Sequence, residues 1–258
     1  MLIYGKNAIR EALISEKTFN KLYIDKSLRD NASQEIINLA KQNNVKISFV
    51  DRKILDNKTV NLKNEKIAHQ GMLGEIVEFD YAEIDDIFNL AESRNEQPFI
   101  LILDGVEDPH NLGAIIRTAE CAGVHGIIIP EHRACAVNDT VLKTSAGAVS
   151  NVNIVRATNL NNVIDQLKKK GVWVYACELG GENIWKSNLT GPIAVVMGSE
   201  GFGVSKLTKQ KCDGVFTIPM YGKINSLNVS VATAVSVFEI LRQRNKYQPM
   251  AVFYFLKN

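Results

Sequence analysis

Residues 193–244 read IAVVMGSEGFGVSKLTKQKCDGVFTIPMYGKINSLNVSVATAVSVFEILRQR. The apolar run Ile193–Met197 is a buried strand, followed by a loop in which Gly198, Gly201 and Gly203 surround Glu200. Glycines just past a strand end let backbone approach a ligand closely, because no Cβ intervenes. A short helix, a second strand over Val215–Ile218, a turn at Pro219–Lys223 and a long closing helix complete the stretch. Asn225, Ser226 and Asn228 fall where a loop enters that helix, beside backbone N–H groups without helical partners. Polar loops at the ends of neighbouring strands point to a ligand site.

The alternation extends upstream. Strands are expected over Phe99–Leu103, Gly126–Ile129, Asn153–Val155 and Val172–Ala176, with helices at Leu112–Ala122, Asn138–Ala146, Leu160–Lys170 and Ser205–Lys211. Short continuous apolar strands separated by helices indicate an α/β domain with a parallel sheet covered on both faces. The first strand runs into DGVEDPHN (104–111), and no GxGxxG, GxxxxGK[ST] or GxSxG occurs. A dinucleotide fold, a P-loop ATPase and a nucleophile-elbow hydrolase therefore lose support.

Residues 1–79 alternate helix and strand on a smaller scale, with helices at Asn7–Ser15, Ser33–Asn43 and Arg52–Asn57. Their strands are expected at Lys21–Ile24, Val45–Val50 and Met72–Phe79, with Gly71 and Gly74 as turn or bulge positions. Residues 80–97 start as a capped helix and end in polar residues before Pro98. Charge reverses here. Residues 1–70 carry 13 basic and 8 acidic side chains, 71–97 carry 1 and 8, and 98–258 carry 16 and 12. The acidic segment is read as the domain boundary, although Ile84, Ile87, Phe88 and Ala91 also make a helical apolar stripe. Two mildly basic blocks suit a polyanionic partner without requiring one, the total being only +2.

No apolar run approaches the ~20 residues of a membrane span, and the first residues lack a signal-peptide core, so a cytoplasmic location is expected. Cys121, Cys135, Cys177 and Cys212 are widely spaced, as are the four histidines, so reduced thiols and no metal are expected. Taken singly, the polar candidates lean structural: Asn111 as a helix N-cap, Arg117 as a partner of Glu120, Glu200 as a loop carboxylate, Ser226 and Asn228 as caps.

Three segments together resemble the motifs of the SpoU/TrmH (SPOUT) ribose 2′-O-methyltransferases: LDGVEDPHNLGAIIRTAECAGVHGIII, VVMGSEGFGVS and IPMYGKINSLNVSVATAVSVFEILRQR. YGKNAIREAL and HQGMLGEIVEF are similar to the substrate-binding domain of the subgroup that methylates a guanosine in 23S ribosomal RNA. The resemblance implies an RNA-binding domain over 1–80, like ribosomal-protein RNA binders, a linker over 81–97 and a methyltransferase domain over 98–246. That domain would carry a mostly parallel sheet and a deep trefoil knot. It further implies S-adenosylmethionine at Gly198, Ile218, Met220 and Leu227, with Thr144 and Ser145 adjacent. Arg117, Asn111, Glu200, Ser226 and Asn228 match functional positions, Arg117 activating the hydroxyl or stabilising its alkoxide. Partners implied are RNA and a second copy of the chain, without a membrane. A transfer-RNA methyltransferase and a non-catalytic RNA binder of the same fold are the alternatives. Residues 247–258, with the apolar run Met250–Leu256, have no role in the resemblance.

Overall fold

The computed structural model describes residues 1–15, 17–59, 68–76 and 79–244. The tail at 247–258 lies outside them. Two compact units emerge, one of Met1–Asp80 with Val137–Asp139, the other of Tyr81–Ala136 and Thr140 onward.

The first unit runs β1 (Leu2–Tyr4), α1 (Lys6–Ile14), β2 (Phe19–Asp25), α2 (Asn31–Gln42), β3 (Ile47–Val50), α3 (Arg52–Lys58) and β4 (Met72–Ile76). Its four-stranded sheet has the order β1-β4-β2-β3, with β2 and β3 parallel and the other pairs antiparallel. Helix α2 starts where Asp30 accepts a hydrogen bond from the Ser33 backbone, and it buries Ile36, Ile37 and Ala40. Gly71 has the turn conformation the sequence suggests, with φ +80°. Gly74 does not: it sits inside β4, where the Phe19 ring would meet any Cβ at 2.6 Å. Strand β1 escapes sequence reading because three residues are too few to show a period.

The second unit holds α4 (Ile84–Ser93), β5 (Phe99–Asp104), α5 (Pro109–Cys121), β6 (Gly126–Pro130), α6 (Asp139–Thr144, straddling the unit division), β7 (Asn153–Ala157), α7 (Leu160–Lys169) and β8 (Trp173–Asn183). β9 (Ile193–Gly198), α8 (Lys206–Lys211), β10 (Gly214–Thr217) and α9 (Val229–Gln243) follow. Six strands form one wholly parallel sheet in the order β10-β8-β9-β5-β6-β7. Ile100, Ile102, Ile128, Val174, Ala194 and Val196 are fully buried in its core.

One local feature departs from the sequence reading. Strand β8 runs on to Asn183, and its pairing with β10 jumps from Val215↔Ala176 to Phe216↔Glu182. Cys177–Gly181 are thereby thrown out of register, and Gly181 lies so close to β10 that a Cβ would stand 2.5 Å from the Val215 carbonyl oxygen. A bulge interrupts the strand period, so the sequence shows only the first half. The acidic segment 81–97 carries α4, which turns Asp85 and Asp86 into its first turn and buries Ile87 and Ala91. At the other end Arg244 hydrogen-bonds the carbonyls of Gln97, Pro98 and Gly191 and lies over the Phe99 ring, fastening the close of α9 to the sheet. Burial lowers its pKa to about 10.

Ile87 packs directly over Gly126, where a Cβ would fall 2.4 Å from its side chain. Ile87→Ala should lower stability by about 2–5 kcal/mol and Gly126→Ala by about 1–3 kcal/mol. The double variant should lose less than their sum by on the order of 1 kcal/mol, the new methyl entering the vacated space. Urea unfolding followed by fluorescence of Trp173 and Trp185, both in the second unit, measures this.

Candidate active site

β5 and β9 lie side by side and end together, Asp104 opposite Gly198. From β5 the chain builds outward through β6 and β7, then returns with β8, β9 and β10 on the other side. Loops leaving two strands at such a switch diverge and open a crevice.

The loop after β9 is a tight reversal. Ser199 N–H donates to the Gly203 carbonyl at 3.1 Å, and Gly203 N–H returns the bond at 3.0 Å. Gly198 permits it: a Cβ there would stand 2.0 Å from the Gly203 carbonyl carbon. Gly201 and Gly203 take φ of +89° and +67°. From the β8 bulge, the Glu178 carboxylate accepts the Val204 N–H at 3.1 Å, and Asp104 accepts the Ser205 N–H at 2.8 Å.

This loop sets Glu200 between two helix starts. Glu200 Oε1 accepts from Asn111 Nδ2 at 3.1 Å and from Asn228 Nδ2 at 2.6 Å. Asn228 Nδ2 also reaches Asn111 Oδ1 at 3.0 Å. Asn228 Oδ1 caps α9 through the N–H groups of Ser230 and Val231, so one side chain closes the helix and braces the carboxylate. Asn111 is not the cap of α5. Asp108 accepts the His110 N–H and Pro109 takes the first helical position, which frees the buried Asn111 amide for Glu200.

Two cavities flank the cluster. The smaller, about 620 Å³, is lined by Gly198, Ile218, Met220, Ser226 and Leu227, together with Glu178. The larger, about 790 Å³, reaches across the ends of β5, β6 and β7 and includes Asn111, Arg133 and Asn161. Ser199, Glu200, Phe202, Gly203 and Val229 line both. The structure thus gathers Asn111, Glu200, Ser226, Asn228 and four expected cofactor positions.

Arg117 and the Thr144–Ser145 pair line neither cavity. Six residues beyond Asn111 on a helix, Arg117 points about 240° around the axis. It is exposed and, among the described residues, has no ion pair with Glu120. Thr144 packs on Gly113 of α5, where a Cβ would stand 2.6 Å from its own, and Ser145 is fully buried. Glu178 escaped sequence reading because it lies in the bulge, although the following Gly180–Gly181 pair marks a break in the strand.

None of the four cysteines is in a disulfide. Burial pushes Cys135 up to about 12 and Cys212 up to about 11, and it also raises Cys177, which lines the smaller cavity. A raised thiol pKa means less thiolate at neutral pH, so Cys177 presents little thiolate to that cavity. Among the described residues no helix is long and apolar enough to cross a membrane.

Known proteins resemble this chain in sequence and in fold. The model of the SpoU rRNA methylase family matches residues 98–238. The chain belongs to that family. A second model, RNA 2′-O ribose methyltransferase substrate binding, matches residues 2–82. YacO of Bacillus subtilis (strain 168), assigned to the TrmH family of tRNA/rRNA methyltransferases, is 41% identical over 94% of this chain and 96% of its own length. AviRb, a SpoU methyltransferase of Streptomyces viridochromogenes solved with AdoMet, aligns over 95% of this chain and 90% of its own, with a TM-score of 0.59 at 22% identity. The A. aeolicus TrmH/SpoU tRNA modifying enzyme covers 62% of this chain and 83% of its own at 30% identity, with a TM-score of 0.54. This SpoU-family protein is therefore an RNA methyltransferase.

Gly198→Ala should abolish ligand binding in the smaller cavity while leaving far-UV circular dichroism near that of the parent, because the clash is confined to the loop crossing. Iodoacetamide near neutral pH should label exposed Cys121 slowly and leave Cys135, Cys177 and Cys212 unmodified until denaturant is added, as read by peptide mass mapping.

Proposed function

We infer that this SpoU-family protein transfers a methyl group from S-adenosylmethionine to a ribose 2′-hydroxyl, acting on a guanosine of 23S ribosomal RNA. The observation that carries the reading is the Asn111–Glu200–Asn228 cluster standing between two cavities. The smaller cavity fits the cofactor in size and chemistry. Its volume lies within the roughly 300–1,000 Å³ of small-molecule sites. Gly198, Gly201 and Gly203 bring backbone close, and Ile218, Met220 and Leu227 offer apolar surface to a base. Bound there, the cofactor supplies an electrophilic sulfonium methyl group. The chain's own residues must orient the hydroxyl and let its proton pass to an acceptor, the Glu200 carboxylate, a substrate phosphate or water. Glu200 Oε1 is held by two amides, which leaves Oε2 directed by a fixed carboxylate plane as an acceptor. Ser226 adds a hydroxyl on the same wall. Such positioning supplies a large share of rate acceleration.

Arg117 serves the site of a second copy. It lines neither of the two cavities of its own chain, while Tyr221, Ile224, Val231 and Phe238 leave apolar surface in water, as a homodimer contact would require. Its guanidinium would hold a substrate phosphate or stabilise the developing alkoxide. A knotted crossing of the terminal segment accompanies this reading, as does a cytoplasmic location. The first unit selects the RNA through shape and unpaired bases, with Lys and Arg on phosphates. Transfer RNA is the second substrate reading, favoured by the 30% identity to the A. aeolicus enzyme, whose match spans only 62% of this chain.

Isothermal titration should give saturable S-adenosylmethionine binding, and labelled methyl should pass to ribosomal RNA from cells lacking the gene. Arg117→Ala should cut transfer by about 10²–10³ with cofactor affinity within twofold. Mixing Arg117→Ala with Glu200→Gln protomers should restore about a quarter of parental activity, since half of a random mixture pairs into dimers with one intact site. No recovery would place Arg117 outside a shared site. Deleting residues 1–80 should keep cofactor binding and remove most RNA affinity.

A further inference from the structure

We propose that the larger cavity seats the acceptor nucleotide with its base unstacked onto Phe202, its phosphate on Arg133 and a hydrogen-bond donor on Asn161. This rests on the methyltransferase reading above and names the substrate contacts of the same site.

The cavity shares the wall Ser199–Gly203 with the smaller one, so its occupant lies across Glu200 from whatever fills the other. Phe202 stands on that wall 94% exposed. It is not there through slack backbone: the reversal beneath it is closed by the paired Ser199–Gly203 bonds and pinned by Glu178 through Val204. A large aromatic face standing in water on a closed turn at a cavity mouth is a stacking platform for an unpaired base.

Arg133 carries a left-handed backbone, φ +55°, rare for a residue with a Cβ and common where a side chain must be aimed. Four carboxylates line the same cavity, Asp104, Glu107, Asp108 and Glu200, and none of them pairs with it. Asp104 is taken by the Ser205 N–H, Asp108 by the His110 N–H and Glu200 by two amides. Among the described residues Arg133 has no ion pair, with Glu107 at the rim or with any other carboxylate. An exposed guanidinium without a protein partner suits a phosphate, which it binds through two N–H groups.

Asn161 supplies the third contact. Its Oδ1 is buried with no hydrogen-bond partner, although its backbone N–H is satisfied by Asn159 Oδ1 at 2.9 Å. A desolvated carbonyl without a donor is costly, and a turn of this cavity-lining side chain about its last torsion would offer the oxygen to a ligand donor. An aromatic face, a free guanidinium and an unsatisfied acceptor around one cavity match the base, phosphate and hydroxyl or amino groups of one nucleotide.

The test uses full-length protein and large-subunit ribosomal RNA purified from cells lacking the gene. Arg133→Ala should raise the RNA KM about tenfold and make the slope of log affinity against log salt shallower by about 0.7, the loss of one single-strand phosphate contact. Asn161→Ala and Phe202→Ala should raise KM with the salt slope unchanged, and Phe202→Trp should restore it. Arg133 and Asn161 line only the larger cavity, so titration with S-adenosylmethionine should match the parent for both variants. An unchanged KM and slope for Arg133→Ala, or Phe202→Trp as poor as Phe202→Ala, overturns the proposal. A parent that binds no S-adenosylmethionine overturns the methyltransferase reading instead, and filter binding of the same RNA across salt still decides the cavity contacts.

Discussion

At Gly198 the chain crosses itself with no room for a side chain. The end of β9 and the returning backbone of Gly203–Val204 come together so closely that even a methyl group cannot be accommodated. Close packing of backbone on backbone is stiff, since neither side has a rotamer to yield. That stiffness fixes Glu200 at the tip of the reversal, and both cavities take their common wall from the same few residues. Glu178 and Asp104 reinforce the crossing from the two neighbouring strands, each accepting a backbone N–H that the turn would otherwise leave open.

The cluster built on this crossing joins elements distant in sequence. Asn111 opens α5, Asn228 opens α9, and Glu200 comes from between them, yet the three side chains share one hydrogen-bonded set. Bonds to a charged group contribute about 1.5–3 kcal/mol each, so the set orders the helix starts as well as the carboxylate. The use of Asn228 for capping and for bracing explains why a capping interpretation of that residue is correct and incomplete. Both of its side-chain atoms are committed, the oxygen to the helix and the nitrogen to the site.

Charge and packing coexist in α4. Its acidic residues face the helix start, where the dipole favours them, while Ile87 and Ala91 enter the core beneath β6. Charge averaged over the segment suggests a boundary, whereas the spacing of its apolar residues marks a packed helix. The two readings are compatible, because a helix presents both faces at once.

Local physics settled much of this protein from sequence. Apolar strands of three to five residues alternating with helices specify a parallel α/β sheet, and the cap at Asn228 places the start of the closing helix by hydrogen bonding within three residues. The glycine-rich stretch after β9 likewise marks a loop meant for close approach. Tertiary structure alone decided the rest. The register jump in β8 that delivers Glu178, the commitment of the Asn111 amide to Glu200 and Asn228, and the packing of Thr144 onto Gly113 all depend on chain segments far apart in sequence. Spacing along a helix or strand encodes which side a residue faces. What waits on that side is a neighbour the sequence does not name.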